Sequence, residues 1–240
     1  MPRRSVRRVA PGARVALAIT VLAAIGCFLL LDSPLFEVRE VTVDGLWRIG
    51  EQEIIDLAGL GAGMNTWRLS LGRVRQAIEA HPRVLHARVS RDLPSGIAIA
   101  IVERPVAAVV PYYASFLELD GQGRVLGLAE VLPMVPVITG VDVGRALPGD
   151  DLSSRLDTAL ILLGYVGEDH GLLAEIHLAE GGEVIAYTAG GIAVYFGSPE
   201  AMAAKVAAMR AVVDELAVKG RRAEYIDLRQ PARPRVKLTD

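Results

Sequence analysis

The chain has 240 residues, enough for one or two domains with a sizeable core, and a formal net charge of −2. This charge balance gives no electrostatic reason to expect nucleic-acid binding, and a single cysteine excludes both an intramolecular disulfide and a cysteine-based zinc site. A hydrophobic content of 52% with only 5% aromatic residues is high for a soluble protein, which indicates a membrane segment.

A membrane-spanning helix is predicted at residues 15–31, which carry no charged side chain. At about 1.5 Å per residue this stretch is roughly 25 Å long, near the lower limit for crossing a bilayer. Five arginines and no acidic residue precede it, so the positive-inside bias predicts that residues 1–14 are a basic tail in the cytoplasm. Everything from Asp32 onward is then exported. A cleaved signal peptide is the alternative, but the bulky residues 28–31 do not resemble its cleavage site.

The exported part is predicted to be acidic and free of cysteine. Leaving the five arginines of the tail out of the 26 basic residues gives 21 basic against 28 acidic residues, a net charge of −7. The single cysteine, Cys27, lies inside the apolar segment. A cysteine-free exported part suits an oxidising compartment, because no stray disulfide can form there.

Residues 36–104 are predicted to form one compact unit with the order strand, helix, helix, strand, strand. Its strands show an apolar period of two, and its helices show an apolar face. A change of phase between Val38 and Val41 allows a bulge in the first strand, and Ser70 is placed as the N-cap of the second helix. The predicted elements are 36–43, 50–60, 70–81, 84–91 and 97–103.

Residues 105–240 are predicted to form a second unit, an α+β domain built on an antiparallel sheet. Short strands with glycine-containing turns are interrupted there by two amphipathic helices. Ser198 is placed as the N-cap of the second helix, with Pro199 at its first position. The predicted elements are a hairpin at 116–126, strands at 135–138, 174–179, 183–189, 192–196 and 224–229, and helices at 152–166 and 198–219.

No catalytic, metal or cofactor site is predicted. The four histidines, His81, His86, His170 and His177, form no HExxH motif. The glycine-rich stretch 59–64 follows a helix rather than a strand, so it lacks the geometry of a dinucleotide-binding loop. Serine-hydrolase, penicillin-binding and Walker-type signatures do not occur in the sequence.

The terminal segment carries the most distinctive charge pattern. Arg229, Arg233, Arg235 and Lys237 have even spacings, so in one extended strand their side chains would share a face. A final strand commonly lies at a sheet edge, where unpaired N–H and C=O groups can pair with a partner strand. The alternative is a charged edge that only blocks aggregation, and the sequence favours neither.

Several short motifs follow the apolar segment in order along the chain. They are Phe36-x-Val38-x-x-Val41-x-Val43-x-Gly45, Val102-Glu103-Arg104-x-Val106, Leu119-Asp120-x-x-Gly123-Arg124-Val125, Leu132-Pro133, Ile138-Thr139-Gly140 and Tyr225-Ile226-Asp227-Leu228-Arg229. Together with the basic tail and the anchor, this ordered set resembles the bacterial cell-division family FtsQ/DivIB over nearly the whole chain.

The resemblance implies a single-pass inner-membrane protein of the division septum, with a cytoplasmic N-terminus and periplasmic domains. It implies a POTRA domain at 36–104 and an FtsQ-type β domain at 105–240. It further implies a divisome scaffold without enzymatic activity or cofactor, which recruits and regulates septal peptidoglycan synthesis. The implied partners are FtsB–FtsL for the β domain, FtsK for the POTRA domain, and the septal peptidoglycan synthase.

The resemblance also places the partner-binding residues on the terminal segment. The arginine of the family's D-L-R motif corresponds to Arg229, and the partner-pairing strand corresponds to 230–237. The implied binding residues are Arg229, Gln230, Arg233, Arg235, Val236 and Lys237. Pro231 and Pro234 depart from the family pattern, and since proline has no N–H to donate, pairing is expected to begin near Arg235. The alternative function is a membrane-tethered periplasmic enzyme or binding protein, which requires a pocket with convergent polar groups.

Overall fold

The computed structural model describes residues 11–61, 63–131, 133–167, 169 and 172–239. Most of the predicted basic tail, together with Leu132 and His170, lies outside these residues. The chain divides into two compact units. The first contains the chain up to Ala80 together with His86–Val102, and the second contains His81–Leu85 and everything from Glu103 onward.

The chain begins with a helix, α1, which spans Pro11–Leu31. Every side chain from Val15 to Leu30 is exposed, so this stretch of α1 packs against no other element among the described residues. Within the described part of the chain, no helix combines the length and the hydropathy that crossing a membrane requires. The membrane-spanning helix at 15–31 therefore stays a prediction.

The first unit contains the order of elements that its periodicity predicts. A short 3-10 turn at Pro34–Phe36 precedes β1 (Glu40–Asp44), α2 (Glu51–Ala58), α3 (Leu71–Glu79), β2 (Val84–Asp92) and β3 (Gly96–Glu103). The strands form a sheet in the order β1-β3-β2, in which β1 and β3 are parallel. Ile97, Ile99 and Ile101 of β3 are buried, as are Ile54 and Ile78 of the two helices. Gly59 ends α2 in the left-handed conformation, which glycine adopts without strain.

The first strand was predicted from residue 36, but β1 begins only at Glu40. Residues 36–38 pair with a loop instead: Val38 N donates to Met64 O at 2.8 Å, and Thr66 N donates to Phe36 O at 2.7 Å. The change of phase between Val38 and Val41 therefore reflects a change of pairing partner and not a bulge within one strand.

The second unit contains one nine-stranded sheet with two helices against one face. Its elements are β4 (Ala108–Tyr112), β5 (Ser115–Leu119), β6 (Val125–Leu128), β7 (Val137–Thr139), α4 (Ser153–Val166), β8 (Leu173–Leu178), β9 (Val184–Thr188), β10 (Ala193–Gly197), α5 (Met202–Val218), β11 (Ala223–Asp227) and β12 (Arg235–Leu238). The strand order is β12-β11-β10-β9-β8-β7-β4-β5-β6. The core lies between the sheet and the helices, with Ile138, Ile176 and Phe196 packed against Leu156 and Met209.

The prediction of an antiparallel sheet is wrong, because the sheet is mixed. The pairs β4–β7, β7–β8 and β10–β11 are parallel. Two of these pairs are joined through a helix, β7 to β8 by α4 and β10 to β11 by α5. A strand, helix, strand connection returns the chain to the starting end of the sheet, so the two strands run in the same direction.

Helix α5 begins three residues later than predicted. Its N-cap position is Ala201, with a left-handed φ of 54°, and not Ser198. The carbonyl of Ser198 accepts a bond of 2.7 Å from Nζ of Lys205, a buried lysine on the first turn of the helix. This contact holds residue 198 outside the helix, and burial lowers the pKa of Lys205.

Candidate partner-docking edge

Strand β12 lies at one edge of the nine-stranded sheet. It pairs with β11 in the antiparallel direction, with Asp227 opposite Arg235, Ile226 opposite Val236 and Tyr225 opposite Lys237. All four residues of β12 are exposed. In the part of the chain that the structure describes, no strand lies on the outer side of β12, so one row of its main-chain groups faces outward.

The terminal basic residues do not share one extended strand, and that prediction is wrong. Residues 228–234 form the connection between β11 and β12. Arg233 N donates to Gln230 O at 2.9 Å, which closes a turn with Pro231 at its second position. Only Arg235 and Lys237 alternate along β12, because proline fixes φ and starts the turn instead of extending the strand.

Arg229 is held by Asp227 in a two-pronged ion pair. Its Nε lies 3.0 Å from Asp227 Oδ1 and its Nη2 lies 2.7 Å from Oδ2. These side-chain bonds hold the pKa of Asp227 below its ordinary value, with a smaller effect from Arg235. The Arg229 side chain lies over Gly197, and a Cβ added to Gly197 would be 2.9 Å from Cγ of Arg229. Arg229 is therefore a fixed part of the corner between β11 and β12.

The turn brings four of the six predicted docking residues together around one open depression. It has a volume of about 290 Å³ and is lined by Asp227, Arg229, Gln230, Arg233 and Arg235. The lining holds three cationic groups and one carboxylate. The carboxylate, Asp227, already pairs with Arg229, so Arg233 and Arg235 are in excess. A cationic depression of this kind complements a carboxylate side chain.

The other two predicted docking residues lie farther along β12. Lys237 forms an ion pair with Glu224 and lies 6.0 Å from the ring centre of Tyr225. The Glu224 bond raises the pKa of Lys237. Val236 is exposed on the same strand. The structure thus places Arg229, Gln230 and Arg233 at the corner, whereas Arg235, Val236 and Lys237 lie on β12.

Two further ion pairs, which the sequence analysis did not predict, involve residues on or just after β5, near the opposite edge of the sheet from β12. Arg83 Nη2 lies 2.6 Å from Oε2 of the fully buried Glu118. Arg104 Nη1 lies 3.0 Å from Asp120 Oδ2, whose other oxygen accepts the main-chain N–H groups of residues 122 and 124 at 2.9 Å. The motif residues Arg104 and Asp120 therefore stabilise the β5–β6 turn. No local pattern in the sequence predicts the pairing of Arg83 with Glu118, because the two residues are 35 positions apart.

Two of the described histidines pair with different partners. His86 Nδ1 lies 2.9 Å from Glu79 Oε1, and His177 Nδ1 lies 2.9 Å from Thr139 Oγ1. Among the residues that the structure describes, no group of three or more His, Cys, Asp or Glu side chains is placed to hold a metal ion.

Two family models match most of the chain after residue 35. One is described as "POTRA domain, FtsQ-type" and matches residues 36–104. The other is described as "Cell division protein FtsQ/DivIB, C-terminal" and matches residues 108–229. The second match ends at Arg229, so the other five predicted docking residues lie beyond it.

Individual relatives are similar along much of the chain. The cell division protein FtsQ of Syntrophotalea carbinolica is 34% identical over 158 residues, covering 63% of this chain and 56% of that protein. The cell division protein FtsQ of Anaeromyxobacter sp. is 29% identical over 249 residues, covering 98% of this chain and 84% of that protein. The major extracytoplasmic domain of DivIB from Geobacillus stearothermophilus has 23% identity and a TM-score of 0.33, covering 48% of this chain and 95% of that structure.

Proposed function

The chain belongs to the FtsQ/DivIB family of cell division proteins, and from this membership we propose that it is a single-pass divisome scaffold of the inner membrane. In this role it acts at the division septum, recruits and regulates septal peptidoglycan synthesis, and catalyses no reaction. Its second unit binds FtsB–FtsL. Its POTRA domain contacts FtsK, and the assembly reaches the septal peptidoglycan synthase through these partners.

The observation that supports this proposal best is the open edge at β12. The strand is exposed along its whole length and ends the sheet among the described residues. A partner segment that adds a further strand there would satisfy the outward main-chain N–H and C=O groups. Such bonds provide affinity that depends little on side-chain identity, so side chains beside the strand must provide the specificity.

The charges around the edge indicate an acidic partner segment. The depression at the corner holds Arg229, Gln230, Arg233 and Arg235, and a single carboxylate from Asp227. A hydrogen bond to a charged group contributes about 1.5–3 kcal/mol when it is well formed. A partner carboxylate seated between Arg233 and Arg235 would therefore set both the register and the direction of the added strand.

The membrane anchor of this proposal rests on α1 and on the sequence around it. Its side chains from Val15 to Leu30 are apolar or small and exposed, which is the arrangement that lipid would cover. The arginines before it direct the tail to the cytoplasm and the two units to the periplasm. A reporter fused after Asp240 should then be active only outside the cytoplasm, and cytoplasmic activity would reject this topology.

Truncation of the terminal segment tests the docking edge. We expect the full chain without residues 230–240 to bind reconstituted FtsB–FtsL at least tenfold more weakly, which corresponds to about 1.4 kcal/mol. The double variant Arg233→Glu, Arg235→Glu should weaken binding in a salt-dependent way, because exposed charges are screened over about 8–10 Å. Binding is measured by calorimetry on protein in lipid nanodiscs.

A matched charge reversal elsewhere on the second unit distinguishes an effect of the β12 edge from an effect of net charge alone. Arg145→Glu with Arg155→Glu changes the net charge by the same amount on α4 and on the loop before it, which pairs with β6 at the opposite edge of the sheet from β12. This control should bind FtsB–FtsL as the unmodified chain does. If the folded truncated chain binds as tightly as the full chain, β12 is only a solvated edge and the docking proposal is rejected.

A further inference from the structure

The end of α1 is tied to the first unit by side-chain contacts. Asn65 Nδ2 donates to the carbonyl oxygen of Leu31, the last residue of α1, at 2.7 Å. Arg68 Nη2 lies 2.8 Å from Oδ1 of Asp32, the next residue along the chain. The loop 63–69, which carries both Asn65 and Arg68, therefore lies beside the carboxyl end of α1.

Four apolar side chains lie around this junction, and we call them the anchor-end cluster: Leu35, Phe36, Met64 and Trp67. Leu35 is 51% exposed, Trp67 43% and Met64 40%. The rings of Phe36 and Trp67 meet edge to face, with their centres 6.2 Å apart. Trp67 is only two residues from Asn65, so their Cα atoms are at most about 7 Å apart. The cluster thus exposes apolar surface close to the point where α1 ends.

Hydrogen bonds hold the cluster in place. Residues 36 and 38 pair with the loop through Thr66 N and Met64 O, as described above. Arg91 Nε donates to Thr66 O at 2.7 Å, and its Nη2 donates to Leu69 O at 2.9 Å. The Arg91 guanidinium also lies 5.6 Å from the Trp67 ring centre. Because its main chain is fixed on both sides, the loop cannot fold Trp67 inward without breaking these bonds.

We infer that the anchor-end cluster rests in the headgroup layer of the bilayer that α1 enters. The inference rests on the membrane anchor of the proposed function. Tryptophan favours this layer, since its ring is apolar and its N–H needs a polar partner. Segments 32–39 and 63–69 with Arg91 contain the cations Arg39, Arg68 and Arg91 against two acids, Asp32 and Glu37. This positive balance complements lipid phosphates.

The chain contains its own control for this contact, because it has only two tryptophans. Trp47 is 86% exposed and follows the far end of β1. The five residues of β1 extend about 16 Å, which places Trp47 well away from the cluster at the other end of the strand. Trp47→Phe leaves Trp67 as the only tryptophan emitter, and Trp67→Phe leaves Trp47.

The experiment measures tryptophan emission of the two variants, as full chains, in vesicles of phosphatidylcholine and phosphatidylglycerol. The same vesicles are then prepared with lipids brominated near the headgroup, since bromine quenches only on close approach. We expect Trp67 to lose about half of its emission, as an interfacial tryptophan should, while Trp47 stays unquenched. Adding Leu35→Glu and Met64→Glu to the Trp47→Phe chain should reduce the quenching severalfold. Val102→Glu, at the end of β3 that lies beside Gly45, should not.

The possible outcomes separate this inference from the anchor on which it depends. If the chain inserts into the vesicles but Trp67 is unquenched, the inference is overturned and the anchor stands. If both tryptophans are quenched equally, the cluster has no special contact with lipid, which also overturns the inference. If the chain fails to co-float with the vesicles, the anchor itself is rejected, and the inference is rejected with it.

Discussion

Strands β6 and β12 are the two edge strands of the same sheet, but their outward main-chain groups differ in whether another segment pairs with them. At β6, Val125 N donates to Asp150 O at 2.9 Å, and Val125 O accepts from Gly149 N at 2.8 Å. A loop from the same chain therefore occupies the outward main-chain groups of Val125, at the start of this edge. At β12, no described segment does so. An uncovered edge favours aggregation unless a partner strand pairs with it or charged side chains block it, so β12 is the edge to which the proposed partner strand would add.

The ion pairs near the two edges differ in the same way. Glu118 on β5 is fully buried and pairs with Arg83, whereas Arg229 at the β11–β12 corner is largely exposed while it pairs with Asp227. A buried pair loses much stability when one partner is removed, because the remaining charge cannot be solvated. An exposed pair contributes little. Mutations near the β6 edge should thus mainly change the free energy of unfolding. Mutations near the β12 edge should mainly change the affinity for the proposed partner.

The largest effect should come from breaking the buried pair. We expect Arg83→Met to lower the free energy of unfolding by about 3–5 kcal/mol, because Glu118 stays buried and loses the charge of the Arg83 guanidinium. The double variant Arg83→Met, Glu118→Leu should regain most of this loss. Urea unfolding measures all three proteins. A loss below about 1 kcal/mol for the single variant would contradict the role of the pair.

A smaller effect is expected from the turn that supports the covered edge. Gly123 has a φ of 86°, and a Cβ there would lie 2.9 Å from Ser153 N and from Leu160 Cδ1. We expect Gly123→Ala to lower the free energy of unfolding by about 2 kcal/mol, from overpacking and left-handed strain together. Gly121→Ala is the matched control, since its Cβ would meet only Ala107, at 3.9 Å. Equal melting temperatures for the two variants would contradict this expectation.

At the open edge, removing charges should hardly change stability. We expect Lys237→Gln to leave the free energy of unfolding almost unchanged, because its ion pair with Glu224 is exposed. The effect should shrink further at high salt. Urea unfolding at low and high salt provides the measurement, and a loss like that of Gly123→Ala would show that β12 is part of the folded core and not an available edge.

The smallest effect concerns pH at the β11–β12 corner. Bonds from Arg229 lower the pKa of Asp227 from its ordinary 3.8. A carboxyl with a lowered folded-state pKa stabilises the protein above its unfolded pKa, and this contribution is lost as the pH falls through the folded-state value. Asp227→Asn should therefore be less stable than the unmodified chain by a few tenths of a kcal/mol at neutral pH, and equally stable well below pH 3.8. Thermal melts across this range test the sign.

Much of the local structure was predictable, because it follows from side-chain period. The alternation of Ile97, Ile99 and Ile101 predicts β3, and the apolar face from Leu156 to Leu163 predicts α4. The left-handed end of α2 follows from Gly59. The predicted failure of extended pairing at Pro231 and Pro234 also has a local cause. These prolines are typical of a turn, whereas the even spacing of the arginines indicated an extended strand.

The β12 edge shows how far such signals reach. The sequence placed a basic strand at the end of the chain, and β12 begins at Arg235, after both prolines. It placed Arg229 and Arg233 on that strand, whereas they lie at the corner before it. Even spacing defines a face only if the chain stays extended, and closing the turn between Gln230 and Arg233 removed that condition.

The sequence by itself determined most of the elements, though not β4, together with their order along the chain, the apolar helix with its arginine flank, and the motifs of the family. Only the tertiary structure decided which strands are neighbours, that three pairs are parallel, that Arg83 meets Glu118, and that β6 is covered while β12 is open. The physical reason is the range of the interactions. Period, caps and turns act over a few residues, whereas strand pairing and buried ion pairs join residues far apart in the chain, where the pattern of neither partner specifies the other.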